Sequence, residues 1–250
     1  AVESTLSDFG QNINVSVMQS VGALGLAVKG ELGSATASIN ATDRAFEAAA
    51  GINSTSSKTG VIADARTVVT LDFFGATSAG AAHTDAALFT AEAIVTMELR
   101  GQNTDPDKEG PSVKFSVLDT EDLSSVVNAF NEAASETGIS ASLTGDGRVK
   151  LVSERGDNIV FENIQVDGLA SHLSLSATTY NYEGNVLDTS NAITSGTVFS
   201  TGGADNTVAG STLVADSLSG FAAFAGTIRT HSNGDYKLTL GTYTAINAGN

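Results

Sequence analysis

Hydrophobic and polar positions alternate with two different periods along this chain. In the stretch 123–134, Leu123, Val126, Val127, Phe130, Ala133 and Ala134 recur at helical spacing, so all six share one face. Asp119 or Thr120 can cap that helix, Glu121 and Asp122 favour its first turn, and Gly138 suits its C-terminal end. The period then drops to two. Ile139, Ala141 and Leu143 point one way, and Val149 and Leu151 return on the same side after the turn-forming pair Asp146-Gly147. The predicted unit is helix, strand, turn, strand, with the helix covering one face of the hairpin.

A second copy lies 78 residues upstream. Thr59-Gly60-Val61 aligns with Thr137-Gly138-Ile139, and Ile52-Asn53 with Phe130-Asn131. Thr42 or Asn40 can cap the upstream helix, with Ala45, Ala49 and Ile52 inward, and Val61, Ala63, Ala65, Val69, Leu71 and Phe73 continue as strand. Elsewhere the period is two: Ile13, Val15 and Val17; Leu173 and Leu175; Tyr180 and Tyr182; Tyr236, Leu238 and Leu240. Both prolines, Pro106 and Pro111, fall in an exposed-loop sequence between the copies, and 190–219 reads as loop with short strands. The fold class is α+β, mainly antiparallel β with two short helices, each packed on a β-hairpin. Expected divisions are 1–36 with 175–250, 37–101 for the first unit, and 102–174 for the second. The expected core includes Leu123, Val127, Phe130, Ile139, Leu143, Val149, Leu151, Ile52, Val61 and Val69.

Composition narrows the function. The 250 residues carry 28 acidic and 12 basic side chains, a net charge of −16 that opposes binding to nucleic acid or anionic membrane. No apolar run reaches the ~18–20 residues of a membrane span. With no cysteine there is no disulfide scaffold, thiolate metal site or cysteine nucleophile. Ser, Thr and Gly together supply 82 residues, a balance that suits a surface domain with many polar turns. The start has neither a basic segment nor an apolar one, so no secretory signal is visible.

Candidate chemistry is thin. His83, His172 and His231 lack zinc-ligand spacing. Asp105, Asp107 and Glu109 alternate as oxygen ligands can, but without the twelve-residue calcium-loop pattern. Asp119, Glu121 and Asp122 are accounted for by helix capping. No glycine-rich phosphate loop or serine nucleophile elbow is present. No catalytic, cofactor-binding or metal-ligating residue is assigned, and no cofactor is expected.

The stretches Gly51 to Thr67, with Ile52-Asn53 and Thr59-Gly60-Val61, and Val127 to Ala141, with Phe130-Asn131 and Thr137-Gly138-Ile139, resemble the flagellin hook IN motif. Phe130 stands in the second where isoleucine is usual. Phe9 to Val17 resembles the flagellin strand that leaves the inner core for the outer domains. The resemblance implies a non-enzymatic, extracellular outer domain on the bacterial flagellar filament. The role the resemblance implies lies in motility, surface properties and antigenicity. A binding or adhesion domain of a hook-associated or cap protein is the alternative. It also implies partners: other flagellin subunits, joined through terminal helices not seen here, and O-linked glycans. Flagellins carry heptad-patterned helices at both ends and this sequence has none, so an excised region, monomeric on its own, is expected. An inserted domain must leave and return at one place, so residues 1–30 and the stretch from Ile228 should lie side by side. The sequons at Asn14, Asn40 and Asn53 are read as chance.

Overall fold

The computed structural model describes residues 5–7, 12–14, 24–39, 43–75, 88–103, 109–119, 121–167, 173–186, 197–200, 212–214 and 220–240. Val15, Val17, His83, Asp105, Asp107, Thr120 and His172 lie outside them. Two compact units result: residues 1–66 with 225–250, and residues 67–224.

The first unit contains β1 (Thr5–Ser7), β2 (Asn12–Asn14), β3 (Leu24–Gly30), β4 (Gly33–Ile39), helix α1 (Ala45–Asn53), the short helix α2 (Ser56–Thr59) and the first six residues of β5 (Val61–Gly75). The chain returns to it as β15 (Thr227–Ser232) and β16 (Lys237–Leu240). One sheet runs β1–β16–β3–β4, and a second pairs β5 with β15 and β15 with β2, all antiparallel. Thr5 faces Thr239 and Ile13 faces Ile228, so strands from the two ends of the chain are neighbours. Helix α1 turns Ala45, Ala48, Ala49 and Ile52 inward against Leu26, Val28, Ile39, Val61, Ile228 and Leu238. Small alanines let the helix approach closely: a Cβ on Gly51 would lie 2.6 Å from the Ser38 carbonyl oxygen. The turn at 233–235 does not close a hairpin, because β15 and β16 join different sheets.

The second unit contains the rest of β5, β6 (Leu88–Arg100), β7 (Ser112–Asp119), α3 (Ser124–Glu132), α4 (Ala134–Thr137), β8 (Ser140–Leu143) and β9 (Val149–Ser153). It continues through β10 (Ile159–Asp167), β11 (Leu173–Tyr180), β12 (Thr197–Ser200), β13 (Thr212–Val214) and β14 (Gly220–Phe224). One sheet is ordered β14–β10–β6–β7; in the other, β11 and β9 both pair with β5, β8 adds to β9, and β12 and β13 extend the sheet beyond β11. Only β12–β13 is parallel among the described pairs.

Strand parity places the core. On β6 Val95, Met97 and Leu99 are buried, as are Val113, Phe115 and Val117 on β7, with Val95 opposite Phe115 and Met97 opposite Val113. On β10 the buried set shifts from Ile159 and Phe161 to Ile164, an odd-to-even change. A bulge between Phe161 and Ile164 causes it, shifting register against both neighbours, with Asn163 at φ 52° and its side chain donating to Glu98. Five phenylalanines then run through the core in successive edge or tilted contacts: Phe73, Phe115, Phe130, Phe161 and Phe224, at ring separations of 5.6–6.0 Å. Phe130, on α3, joins strand residues on both sides.

The architecture is mainly antiparallel β with short helices, as the periodicity predicts. Ile52, Val61, Val69, Leu123, Phe130, Ile139, Val149 and Leu151 are all buried. Two expectations are corrected. Leu143 is 48% exposed, because it ends β8, whose only strand partner among the described residues is β9. Val127 is half-buried at the margin of the core. Alternation gives the side a residue faces but carries no information on the sheet's edge.

Phe130→Ala should lower unfolding free energy by ~3–5 kcal/mol, because it opens a cavity in the middle of the aromatic row. Leu143→Ala should stay within ~0.5 kcal/mol, the range of ordinary surface changes. Urea titration followed by circular dichroism separates the two; equal losses would contradict this core.

Candidate functional site

The feature built most deliberately is the junction where each helix passes into a strand, and it occurs twice. In the downstream copy the Asn131 side chain donates to the Ala141 carbonyl at 3.0 Å and accepts the Ala141 N–H at 2.8 Å. In the upstream copy Asn53 does the same to Ala63, at 2.8 and 2.7 Å. One carboxamide thus stands in for a strand partner, satisfying both backbone groups of a residue ten positions on.

The threonine and glycine have equally specific tasks. Thr137 is fully buried; its hydroxyl donates to the Ala133 carbonyl at 2.9 Å and accepts the Ile139 N–H at 3.3 Å. Thr59 repeats this with Thr55 and Val61, at 3.1 and 3.2 Å. Gly60 and Gly138 end the short helices with φ of 74° and 70°, the left-handed conformation a β-branched residue resists. A short helix follows the main one in each copy, so the helical face expected over 123–134 is continued by α4 rather than by one rod.

Each unit also has a β-hairpin ahead of its helix, β3–β4 in one and β6–β7 in the other. The glycine at the end of the hairpin's first strand passes hard against the junction. A Cβ on Gly30 would lie 2.0 Å from the Thr59 carbonyl oxygen, and one on Gly101 2.2 Å from that of Thr137. The full repeat is therefore hairpin, helix, short helix, strand, longer than the sequence pattern marks out.

Capping differs from expectation. Helix α3 begins at Ser124, not beside Asp119 or Thr120. Asp119 accepts the Glu121 N–H within a local turn, and Asp122 accepts from Ser124. Hydrogen bonds from the Ser124 hydroxyl, then from its N–H, hold the exposed Asp122 carboxyl below its ordinary pKa. Helix α1 starts after Arg44, whose N–H Glu47 accepts at 2.7 Å, three residues inside the helix.

The remaining candidates do not converge. Glu109 is exposed, and His231 lies 3.5 Å from Asp64, which Arg229 also approaches at 3.3 Å. Among the described residues no group of three or more His, Asp or Glu is placed to hold a metal ion. Sequence reasoning missed Asp157, 1% exposed, whose carboxylate meets Arg155 at 3.1 Å while its carbonyl accepts from the Thr67 hydroxyl. Asn53, the asparagine of one sequon, has its amide committed to Ala63. Charge divides unevenly: the first unit has seven acidic and six basic residues, net −1, and the second 21 and six, net −15.

Residues 96–154 match the flagellin hook IN motif, so the chain carries that motif across the second helix-to-strand junction. The chain is similar to two crystal structures of the flagellar cap protein FliD from Escherichia coli. The D1-D2-D3 domains are 16% identical over 98% of this chain and 57% of that chain, with a TM-score of 0.23. The D2-D3 domains are 13% identical over 96% and 98%, with a TM-score of 0.25. This chain thus spans little more than half the length of the first of these structures. No curated protein sequence matches it.

Gly101→Ala should destabilise by well over ~1 kcal/mol, since the methyl would overlap backbone oxygen rather than a movable side chain. Gly145→Ala, with nothing within 4 Å, should be neutral or gain ~0.4–1 kcal/mol from a stiffer unfolded chain. Asn131→Ala should cost ~1–3 kcal/mol by stranding the Ala141 backbone groups. Thermal melts of the three variants test the junction directly.

Proposed function

We propose that this chain is the outer region of a bacterial flagellar filament subunit, a non-enzymatic domain projecting from the filament surface. The observation that carries the reading is the hook IN junction, matched at residues 96–154 and repeated bond for bond around Asn53, Thr59 and Gly60. Two further features agree with it. The strands nearest the two ends pair antiparallel, β1 with β16 and β2 with β15, as the neck of an inserted domain requires. Most of the negative charge sits in the second unit, giving a strongly hydrated surface that resists self-association.

In this reading the partners are neighbouring filament subunits, and the domain's work is to set the surface that surroundings meet. Exposed hydroxyls such as Ser34, Thr36 and Ser38 on β4 offer positions for O-linked sugars. Taken alone, the chain is a monomer, because copies carrying −16 repel at low salt.

Immunogold labelling of intact flagella with antibody to this chain is the test. Gold along the whole filament supports the proposal. Gold confined to the tip or to the hook junction replaces it with a cap or hook-associated protein.

A further inference from the structure

The turn between β15 and β16 holds the chain's only Asn-Gly pair, Asn233-Gly234. We propose that Asn233 is a site of spontaneous, non-enzymatic conversion to aspartate and isoaspartate. The reaction needs three things: a backbone amide nitrogen free to turn toward the asparagine side chain, no side chain on the next residue to block the approach, and access to water. Asn233 is exposed, and its side chain makes no hydrogen bond to another of the described residues. Gly234 has no side chain, and its N–H is held by the Ser232 hydroxyl at 3.5 Å, the outer limit of a hydrogen bond. The pair lies in a bend outside both strands.

Other asparagines show the contrast. Asn53 and Asn131 have both ends of their amides fixed on backbone groups and precede Ser54 and Glu132. Asn163 is tied to Glu98, and Asn181 accepts two N–H groups of its own turn.

The step balances without a cofactor. The Gly234 nitrogen, losing its proton to hydroxide, attacks Asn233 Cγ; the C–N bond to the side-chain NH₂ breaks and ammonia leaves. Water then opens the five-membered imide. Cleavage between Cγ and the Gly234 nitrogen leaves aspartate; cleavage at the backbone carbonyl leaves isoaspartate, with one more carbon in the main chain. Water consumed equals ammonia released.

The consequence falls on a charged and register-bearing turn. Gly234 itself lies against Glu31, where a Cβ would sit 2.5 Å from the carboxylate, and the new carboxylate arises one residue before it and two before Asp235. Isoaspartate also lengthens the connection that sets Ile228 opposite Ala65 and Leu238 opposite Val28. The first unit moves from −1 to −2, a time-dependent surface change that needs no enzyme and does not rest on the flagellar reading.

The test is ageing of the purified full chain at mildly alkaline pH and growth temperature, with peptide mapping by mass spectrometry and isoaspartate assay. The Asn233 peptide should convert before any other asparagine peptide, releasing ammonia and giving isoaspartate in excess over aspartate. Gly234→Ala, whose methyl is crowded by the movable Glu31 carboxylate and touches the Glu31 Cβ at an ordinary 3.4 Å, should fold normally by circular dichroism and show strong loss of conversion. Asn233→Asp should melt below the unaged chain. Conversion at Asn233 no faster than at Asn53 or Asn131 overturns the proposal. So does conversion in urea but not in the folded chain, or a rate unchanged by Gly234→Ala.

Discussion

One side-chain amide per repeat sets the rest of the structure. A helix that ends beside a strand leaves carbonyls without partners, and a strand that begins there leaves both its backbone groups open. Asn131 closes the second gap and Thr137 bridges the first, while Gly138 supplies the left-handed turn between them. With these three in place the strand leaves at one angle, and Ile139 and Ala141 point to the core rather than away. The same constraint holds Val61 and Ala63 under α1. Hydrophobic burial supplies most of the driving force, yet it is non-directional and could not by itself choose this exit angle.

Beyond the junction the two repeats diverge. After α4 the strand turns back through a tight loop, where the Gly147 N–H bonds to the Thr144 carbonyl and φ at Gly147 is 81°, so β8 and β9 form a local hairpin. After α2 the strand β5 runs on for fifteen residues, and in the first unit its partner is β15, more than 150 residues later. An identical junction thus serves a local pairing in one unit and a long-range pairing in the other. The second unit adds an aromatic row that has no counterpart among the described residues of the first, with its alanine-rich helix.

The legible part of the fold is the part that local periodicity encodes. The inward faces of the helices, the strand parity of Val61 to Phe73 and the left-handed glycines come from spacing and from one residue's allowed angles. Leu143 is misplaced by its pattern because alternation names a side and not an edge. The close approaches of Gly30 to Thr59 and Gly101 to Thr137 are invisible in the sequence because the partners lie far beyond the reach of local periodicity. The bulge at Asn163 hides a parity change on which a simple alternation breaks. The hairpins ahead of the helices go unmarked because their register depends on the helix that lands on them. At the level of chemistry, spacing alone assigns no reaction centre, and the one histidine whose surroundings are described meets a single carboxylate, Asp64.

The pairing of β1 with β16 has a mechanical consequence. Because Thr5 faces Thr239 and the strands run in opposite directions, the start of β1 and the finish of β16 lie at the same end of the sheet. A pull applied to both strand ends together therefore loads them in one direction, as on two ropes tied to one anchor. Neither strand is slid past the other, and the load is shared by the flanking β3 ladder. Force that instead separated the two strands would open the hydrogen bonds one at a time, beginning at Thr5. A sheet joined this way resists a joint pull on its terminal strands and yields when they are pried apart.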